Sequence, residues 1–232
     1  MVGLPARGKT FISQKVCRYL QWLGIETQVF NVGNYRRKIA GAHQTHEFFD
    51  PNNTTANEVR MQAAMEALED LLKWLSGPKR DQSRRPSTFC GESNSRVAIY
   101  DATNSTVERR LIIRDRCAQA GVSVMFIESI CTTSDLIMAN IREVKLSSPD
   151  YLNCEPEKAA ADFMARIKHY EDAYETLGKD ASENDASYVQ LIDVGTQSII
   201  NMIQGYLQTR VVFYLMNLHI TPRSILMCRV GI

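Results

Sequence analysis

A chain of 232 residues, 44% hydrophobic, 23% charged and of formal net charge +1, can bury one large core or two small ones. That balance gives no bulk reason to expect nucleic acid or an anionic membrane as partner. No apolar run approaches the roughly 18 residues of a membrane helix, and no charged-then-apolar leader opens the chain. Six cysteines (Cys17, Cys90, Cys117, Cys131, Cys154, Cys228) lack paired metal-ligand spacing and read as reduced thiols of a cytoplasmic domain.

Gly3-Leu4-Pro5-Ala6-Arg7-Gly8-Lys9-Thr10, followed by Phe11, fits G-x-x-x-x-G-K-[ST]. Ile12, Val16, Tyr19, Leu20 and Leu23 then share one helical face, and Gly24 ends the helix. Thr27–Phe30 is a short strand, followed by a basic turn at Tyr35-Arg36-Arg37 and a polar loop over 41–55. A helix spans Ala56–Leu75. Residues 77–95, without hydrophobic period and rich in serine, read as a flexible surface insertion. Strand Val97–Asp101, helix Val107–Ala120, strand Val122–Ile127 and helix Ser134–Val144 follow. A long helix Pro156–Thr176, strand Val189–Val194, helix Thr196–Leu215 and strand Ile225–Cys228 complete the pattern. Strands separated by helices imply an α/β, three-layer phosphate-binding-loop fold with a mostly parallel sheet.

The loop motif carries a mechanism. Glycines let backbone N–H groups turn inward around phosphate oxygens, Lys9 reaches the β- and γ-phosphates of ATP, and Thr10 offers a hydroxyl to Mg²⁺. The helix behind it points its N-terminus at the anion. Asp101 ends an apolar strand, a place that serves either a metal site or a helix-capping turn. Thr103, Asn104 and Ser105 fit a cap or a phosphate site equally. Arg36, Arg60, Arg109, Lys145 and Arg166 suit either a solvated face or the grip on a substrate phosphate.

The stretches GLPARGKT, FNVGNYRR, the FF at 48–49, DATNSTVERR, FIESIC, NIREVKLSSPDY, RIKHYE, LIDVG and YLMNLHITPRSI resemble the kinase half of the bifunctional 6-phosphofructo-2-kinase/fructose-2,6-bisphosphatase family. The resemblance implies a kinase domain over residues 1–222 that transfers the γ-phosphoryl of ATP to the 2-hydroxyl of fructose 6-phosphate. It implies Lys9 and Thr10 at ATP and Mg²⁺, and Asp101 as catalytic carboxylate and metal-site residue. Sugar-phosphate contacts fall on Arg36, Arg60, Thr103, Arg109, Lys145, Arg166 and Tyr170. Asn140, Ile141, Arg142, Glu143, Val144 and Lys145 border the nucleotide. Cys131 stands at an active-site position of the family, although a strand-end cysteine explains it equally well. A homodimer through the kinase domain is a further implication.

Against that family the chain reads as truncated at both ends. Only Met1 and Val2 precede Gly3 where a central strand is expected. Residues 223–232 read as the first strand of a phosphatase domain, with Val230 where the nucleophilic histidine would stand, so no bisphosphatase activity is expected. Two other readings remain at this stage: a different small-molecule kinase with the same loop, or a catalytically incompetent fragment that binds nucleotide or associates with full-length relatives.

Overall fold

The computed structural model describes residues 1–78, 95–145 and 148–218, the side chains of residues 144, 145 and 194 excepted. Helix α1, Lys9–Trp22, buries the stripe Ile12, Val16 and Leu20, and Gly24 at φ 83° turns the chain out of it. Strand β1, Glu26–Asn31, ends on an asparagine whose side chain accepts the Asn34 N–H at 3.2 Å and so caps helix α2, Val32–Ala40. The basic turn expected at 35–37 is therefore helical, because Asn31 starts a helix directly from the strand. Helix α3, Thr54–Ser76, is capped by Asn53 and buries Ala63, Ala64, Ala67, Leu68, Leu71 and Leu72.

Strand β2, Arg96–Asp101, pairs parallel with β1, and Asn31 comes opposite Asp101. Helix α4, Val107–Gln119, is capped by Thr106. The strand expected at 122–127 begins three residues later, as β3, Met125–Ile130. The Val122 N–H returns to the Cys117 carbonyl at 2.9 Å and Gly121 has φ 69°, so the helix-ending turn consumes the first apolar residues. Helix α5, Ser134–Asn140, passes into a π-helical turn at Ile141–Lys145 rather than continuing as one helix. Helix α6, Pro156–Asp172, stops short of Thr176. Tyr174, Thr176 and the Leu177 N–H turn instead onto the buried carboxylate of Glu128, which also accepts from Gln190 at 2.7 Å.

Strand β4, Ser187–Ile192, runs parallel to β3. The helix expected at 196–215 is divided: β5, Gln197–Asn201, returns antiparallel to β4, and helix α7, Gly205–Met216, follows. Asp193 at φ 44° and Gly195 at φ 90° make the tight return, and β-branched Ile199 and Ile200 suit the strand. Residues 79–94 and the strand expected at 225–228 lie outside the described residues.

The strands form two half-sheets, β1–β2 and β3–β4–β5, joined through the first residues of the chain. The Met1 ammonium donates to the Tyr100 carbonyl at 2.9 Å, the Val2 N–H to Ile127 at 2.8 Å, and the Ser129 N–H to Val2 at 3.0 Å. The strand expected to be largely absent is thus a two-residue bridge at the centre. On one face α1 and α7 pack Leu20, Val212 and Leu215 against Ile99, Ile127 and Val189; on the other, Leu68, Leu71 and Ile113 of α3 and α4 pack against Phe30. This is the expected three-layer α/β arrangement.

Arg110 and Glu183 form a bidentate pair at 2.5 and 2.9 Å, each about 1–2% exposed, which ties α4 to the turn before β4. Glu183→Ala leaves the guanidinium buried and unpaired, so we expect a loss of about 3–5 kcal/mol, read by urea unfolding.

Candidate functional site

The phosphate-binding motif folds into a loop between the Met1–Val2 bridge and α1. Gly3 has φ 134°, and a Cβ there would fall 2.5 Å from the Ser129 carbonyl oxygen. Any side chain at this position is excluded twice, by conformation and by space. Gly8 at φ 78° then turns the chain into α1. The loop is braced from outside: Asn140 donates to the Ala6 carbonyl at 3.1 Å, and Ser129 donates to the Arg7 carbonyl. Lys9 is buried and places its ammonium 2.6 Å from the Leu4 carbonyl. Gly3→Ala is expected to abolish the thermal shift produced by nucleotide, read by scanning fluorimetry, while Gly8→Ala weakens it less because nothing lies within 4 Å of a Cβ there.

Asp101, 3% exposed, is held at the end of β2 by two donors on one oxygen. Thr10 Oγ1 donates to Oδ2 at 2.8 Å, and Asn31 Nδ2 donates to the same atom at 2.6 Å. The strand pairing that sets Asn31 opposite Asp101 thus joins the acid to the loop's hydroxyl and to the cap of α2. The fit to a divalent cation rests on that donor set. A hydroxyl and a carboxylate converge beside an anion-binding loop, the pattern that suits Mg²⁺ shared with phosphate oxygens rather than an all-protein cage. Among the described residues there is no cluster of three or more His, Cys, Asp or Glu that could hold a metal unaided.

Beside Asp101 opens a cleft of about 820 Å³ lined by Pro5, Lys9, Thr10 and by residues from α2, α3, α4 and α6. Arg36, Arg60, Thr103, Arg109, Arg166 and Tyr170, all expected at the acceptor, line it together. Arg36, Arg37 and Arg166 converge on one oxygen of Asp150, at 2.5, 3.5 and 3.5 Å. Arg166 stacks its guanidinium 3.6 Å from the centre of the Phe49 ring, and Arg60 donates to the Phe49 carbonyl at 3.1 Å. Burial pushes the Tyr170 phenol up, but Arg166, Arg60 and Arg109 outweigh it and hold the group below its ordinary value. Nε of Arg109 and Nε of Arg166 are buried with no hydrogen-bond partner among the described residues. Buried guanidinium donors without acceptors suit an anion in the cleft.

Burial also pushes the Asp150 carboxyl up, and Arg36, Arg166 and Arg37 overcome it, leaving the carboxyl below its usual range. A depressed folded value stabilises the fold above the unfolded value of about 3.9 and ceases to do so as pH falls through the folded one. Asp150→Asn is therefore expected to lower stability at pH 7 and to flatten the loss as pH falls below about 3.9, read by denaturant midpoints from pH 7 downward.

The other expected site residues are placed less centrally. Ile141 is fully buried against Ala6, Tyr151 and Phe163, while Arg142 and Glu143 are exposed; the side chains of Val144 and Lys145 lie outside those described. Phe11 is 44% exposed on α1. Cys131 sits just beyond β3 with Sγ 3.9 Å from the Thr133 carbonyl and does not line the cleft. Asn104 binds the Met1 carbonyl at 2.8 Å, so it belongs to the scaffold, and the cap of α4 is Thr106. Sequence reasoning missed Asn31, Arg37, Asp150 and His169 as cleft residues, although the first three lie in FNVGNYRR and NIREVKLSSPDY and the last in RIKHYE.

A family model described as 6-phosphofructo-2-kinase matches residues 1–222. Along its whole length the chain is 46% identical, over 231 residues, to 6-phosphofructo-2-kinase/fructose-2,6-bisphosphatase 4 of Homo sapiens, covering 46% of that protein. It is 47% identical to form 1 of Bos taurus, covering 45%, and 43% identical to form 3 of Rattus norvegicus, covering 39%. The chain therefore spans less than half the length of these relatives, and the part it spans is the part the family model describes. It belongs to the 6-phosphofructo-2-kinase family.

Proposed function

We propose that this chain is an ATP-dependent sugar-phosphate kinase, transferring the γ-phosphoryl group of ATP to the 2-hydroxyl of fructose 6-phosphate. The observation that carries the reading is one continuous cleft in which Lys9, Thr10 and Asp101 adjoin Arg36, Arg60, Arg109, Arg166 and Tyr170. One end suits nucleotide phosphates and the other an acceptor that carries a phosphate of its own.

In this reading the loop N–H groups and the N-terminus of α1 grip the β-phosphate region, and Lys9 leaves the Leu4 carbonyl to neutralise the transferred group. Thr10 and Asp101 would hold Mg²⁺, which supplies charge neutralisation across the phosphates. The arginines fix the 6-phosphate of the sugar and thereby aim its 2-hydroxyl, converting a collision into an oriented encounter. Asp101 Oδ1 is left by the Thr10 and Asn31 contacts, both of which go to Oδ2, to take the hydroxyl proton as the new O–P bond forms. ADP leaves with the electron pair of the broken bond.

A second reading is binding without transfer. It is favoured by the Lys9 ammonium, which lies 2.6 Å from the Leu4 carbonyl of its own loop. Scanning fluorimetry separates the two when combined with product analysis. Mg·ATP alone raises the melting temperature in both, fructose 6-phosphate adds a further rise only if the acceptor cleft is assembled, and fructose 2,6-bisphosphate forms only in the first. We further propose a cytoplasmic protein, in keeping with the absence among the described residues of a helix long and apolar enough to cross a membrane. A homodimer fits the edge strand β5, whose Ile199 and Ile200 are 41% and 46% exposed, and sedimentation velocity tests it.

A further inference from the structure

Between α2 and α3 the chain makes a 3-10 turn, His46–Phe49. A single turn of this kind has poor internal hydrogen bonds, so its place depends on what it is fastened to. Its last residue matters to the cleft. Phe49 is 3% exposed, and three guanidiniums face its ring: Arg166 at 3.6 Å, Arg36 at 5.6 Å and Arg60 at 5.9 Å from the centre. Arg60 also donates to the Phe49 carbonyl at 3.1 Å. One neutral ring thus attracts three like charges that repel one another, and moving it would release all three.

The fastening lies at the other end of the turn. The His46 N–H donates to Asp162 Oδ1 at 2.9 Å, and Asp162 Oδ2 accepts the Tyr151 hydroxyl at 2.7 Å. The His46 ring makes a second contact with α6: its Nδ1 lies 3.2 Å from Nε2 of His169. The ring centres are 5.4 Å apart and the planes 20° from parallel. The centres are thus farther apart than the nitrogens by little more than the two ring radii, which sets both nitrogens close to the line of centres. That is the head-on geometry of an N–H···N hydrogen bond, in which one imidazole donates and the other accepts. His169 stands beside Tyr170 and within one helical turn of Arg166, and like them it lines the cleft. The bond therefore ties the turn that carries Phe49 to the part of α6 that carries the acceptor groups.

We propose that His46 and His169 are positioning residues for the phosphate of the acceptor: their hydrogen bond latches the 46–49 turn onto α6 and so sets Phe49 against the arginines of the cleft. The inference rests on the reading of that cleft as a sugar-phosphate site. A bond that served stability alone would lower the melting temperature and leave both substrates alike. A latch acts on one substrate, because Phe49 meets Arg36, Arg60 and Arg166, while Lys9 and Thr10 belong to the phosphate-binding loop.

The test is a double-mutant cycle on the 232-residue chain. His46→Ala and His169→Ala should each raise KM for fructose 6-phosphate about three- to tenfold, the scale of one neutral hydrogen bond. Turnover and KM for ATP should stay within about twofold, and the double alanine variant should lose no more than either single one. The pair His46→Asn with His169→Gln places amide groups where Nδ1 and Nε2 stood, one donating and one accepting, and should restore KM to within about twofold of the parent. The same cycle is read without turnover in the dissociation constant of inorganic phosphate, from melting temperatures. If the parent transfers no phosphoryl group, the kinase reading falls, and the phosphate cycle still decides the latch. The latch is overturned by additive losses, by an equal rise in KM for ATP, or by an Asn/Gln pair no better than the double alanine variant. It is equally overturned if inorganic phosphate leaves the melting temperature of the parent unmoved.

Discussion

Asp101→Ala is expected to reduce fructose 6-phosphate-dependent turnover by about 10³-fold or more, with the fold retained. Removing an acceptor for the hydroxyl proton costs about 10²–10⁴ in rate, and removing a group that stabilises transition-state charge costs about 10²–10³. Both losses arise at Asp101, which lies at the meeting point of Thr10 and Asn31. Asp101→Asn distinguishes the two contributions. It keeps a similar shape and one acceptor for Thr10, but neither takes the proton nor carries charge to a cation. If the asparagine variant matches alanine in turnover while retaining the melting shift with Mg·ATP, proton acceptance dominates. If it also loses the shift, metal binding dominates. Circular dichroism of both variants checks that the sheet survives, since the side chain is buried and its partners Thr10 and Asn31 would otherwise be left unsatisfied.

Arg166→Ala carries the second large effect, on the acceptor. This guanidinium faces Asp150 at 3.5 Å, lies 3.6 Å over Phe49, and leaves Nε free of partners among the described residues. A hydrogen bond to a charged group contributes about 1.5–3 kcal/mol, so KM for fructose 6-phosphate should rise about 10- to 100-fold. KM for ATP should stay within about twofold, because Arg166 engages Asp150, Phe49 and Phe163. The same variant removes the foremost charge acting to lower Tyr170, so the phenol should titrate at higher pH than in the parent. The difference spectrum between the Tyr170→Phe pair, with and without Arg166, reports it. Arg166→Lys keeps a positive charge but lacks the planar fork and the stacking on Phe49, so it should recover only part of the loss.

The elements that sequence made legible are those with strong local signals. The loop and α1 followed from glycines at fixed spacing and a clean apolar stripe, and β2 from an uninterrupted apolar run ending at Asp101. The elements that misled are those whose fate is decided by capping and tight turns. Asn31 looks like the end of a strand but its side chain starts α2, which converts an expected turn into the helix that aims Arg36. Gln197–Asn201 falls within a stretch of acceptable helical spacing, yet the return at Asp193 and Gly195 delivers it to the edge of β4. The residues proposed to bind ligand carried their own chemical signature, since arginine and lysine near a phosphate loop invite that reading. Asp150 carried none. An acid amid basic motifs is unremarkable until three guanidiniums from α2 and α6 are seen to share one of its oxygens. Its part is to hold Arg36, Arg37 and Arg166 in place despite their mutual repulsion, which only tertiary structure reveals.

The central claim is that the loop and the arginine cleft act on one pair of substrates. ADP release from Mg·ATP by the 232-residue chain, with and without fructose 6-phosphate, tests it most directly. The account predicts ADP release that depends on the sugar phosphate, accompanied by equimolar fructose 2,6-bisphosphate and lost in Asp101→Ala. Folded protein that binds Mg·ATP but releases no ADP in the presence of the sugar phosphate would contradict it.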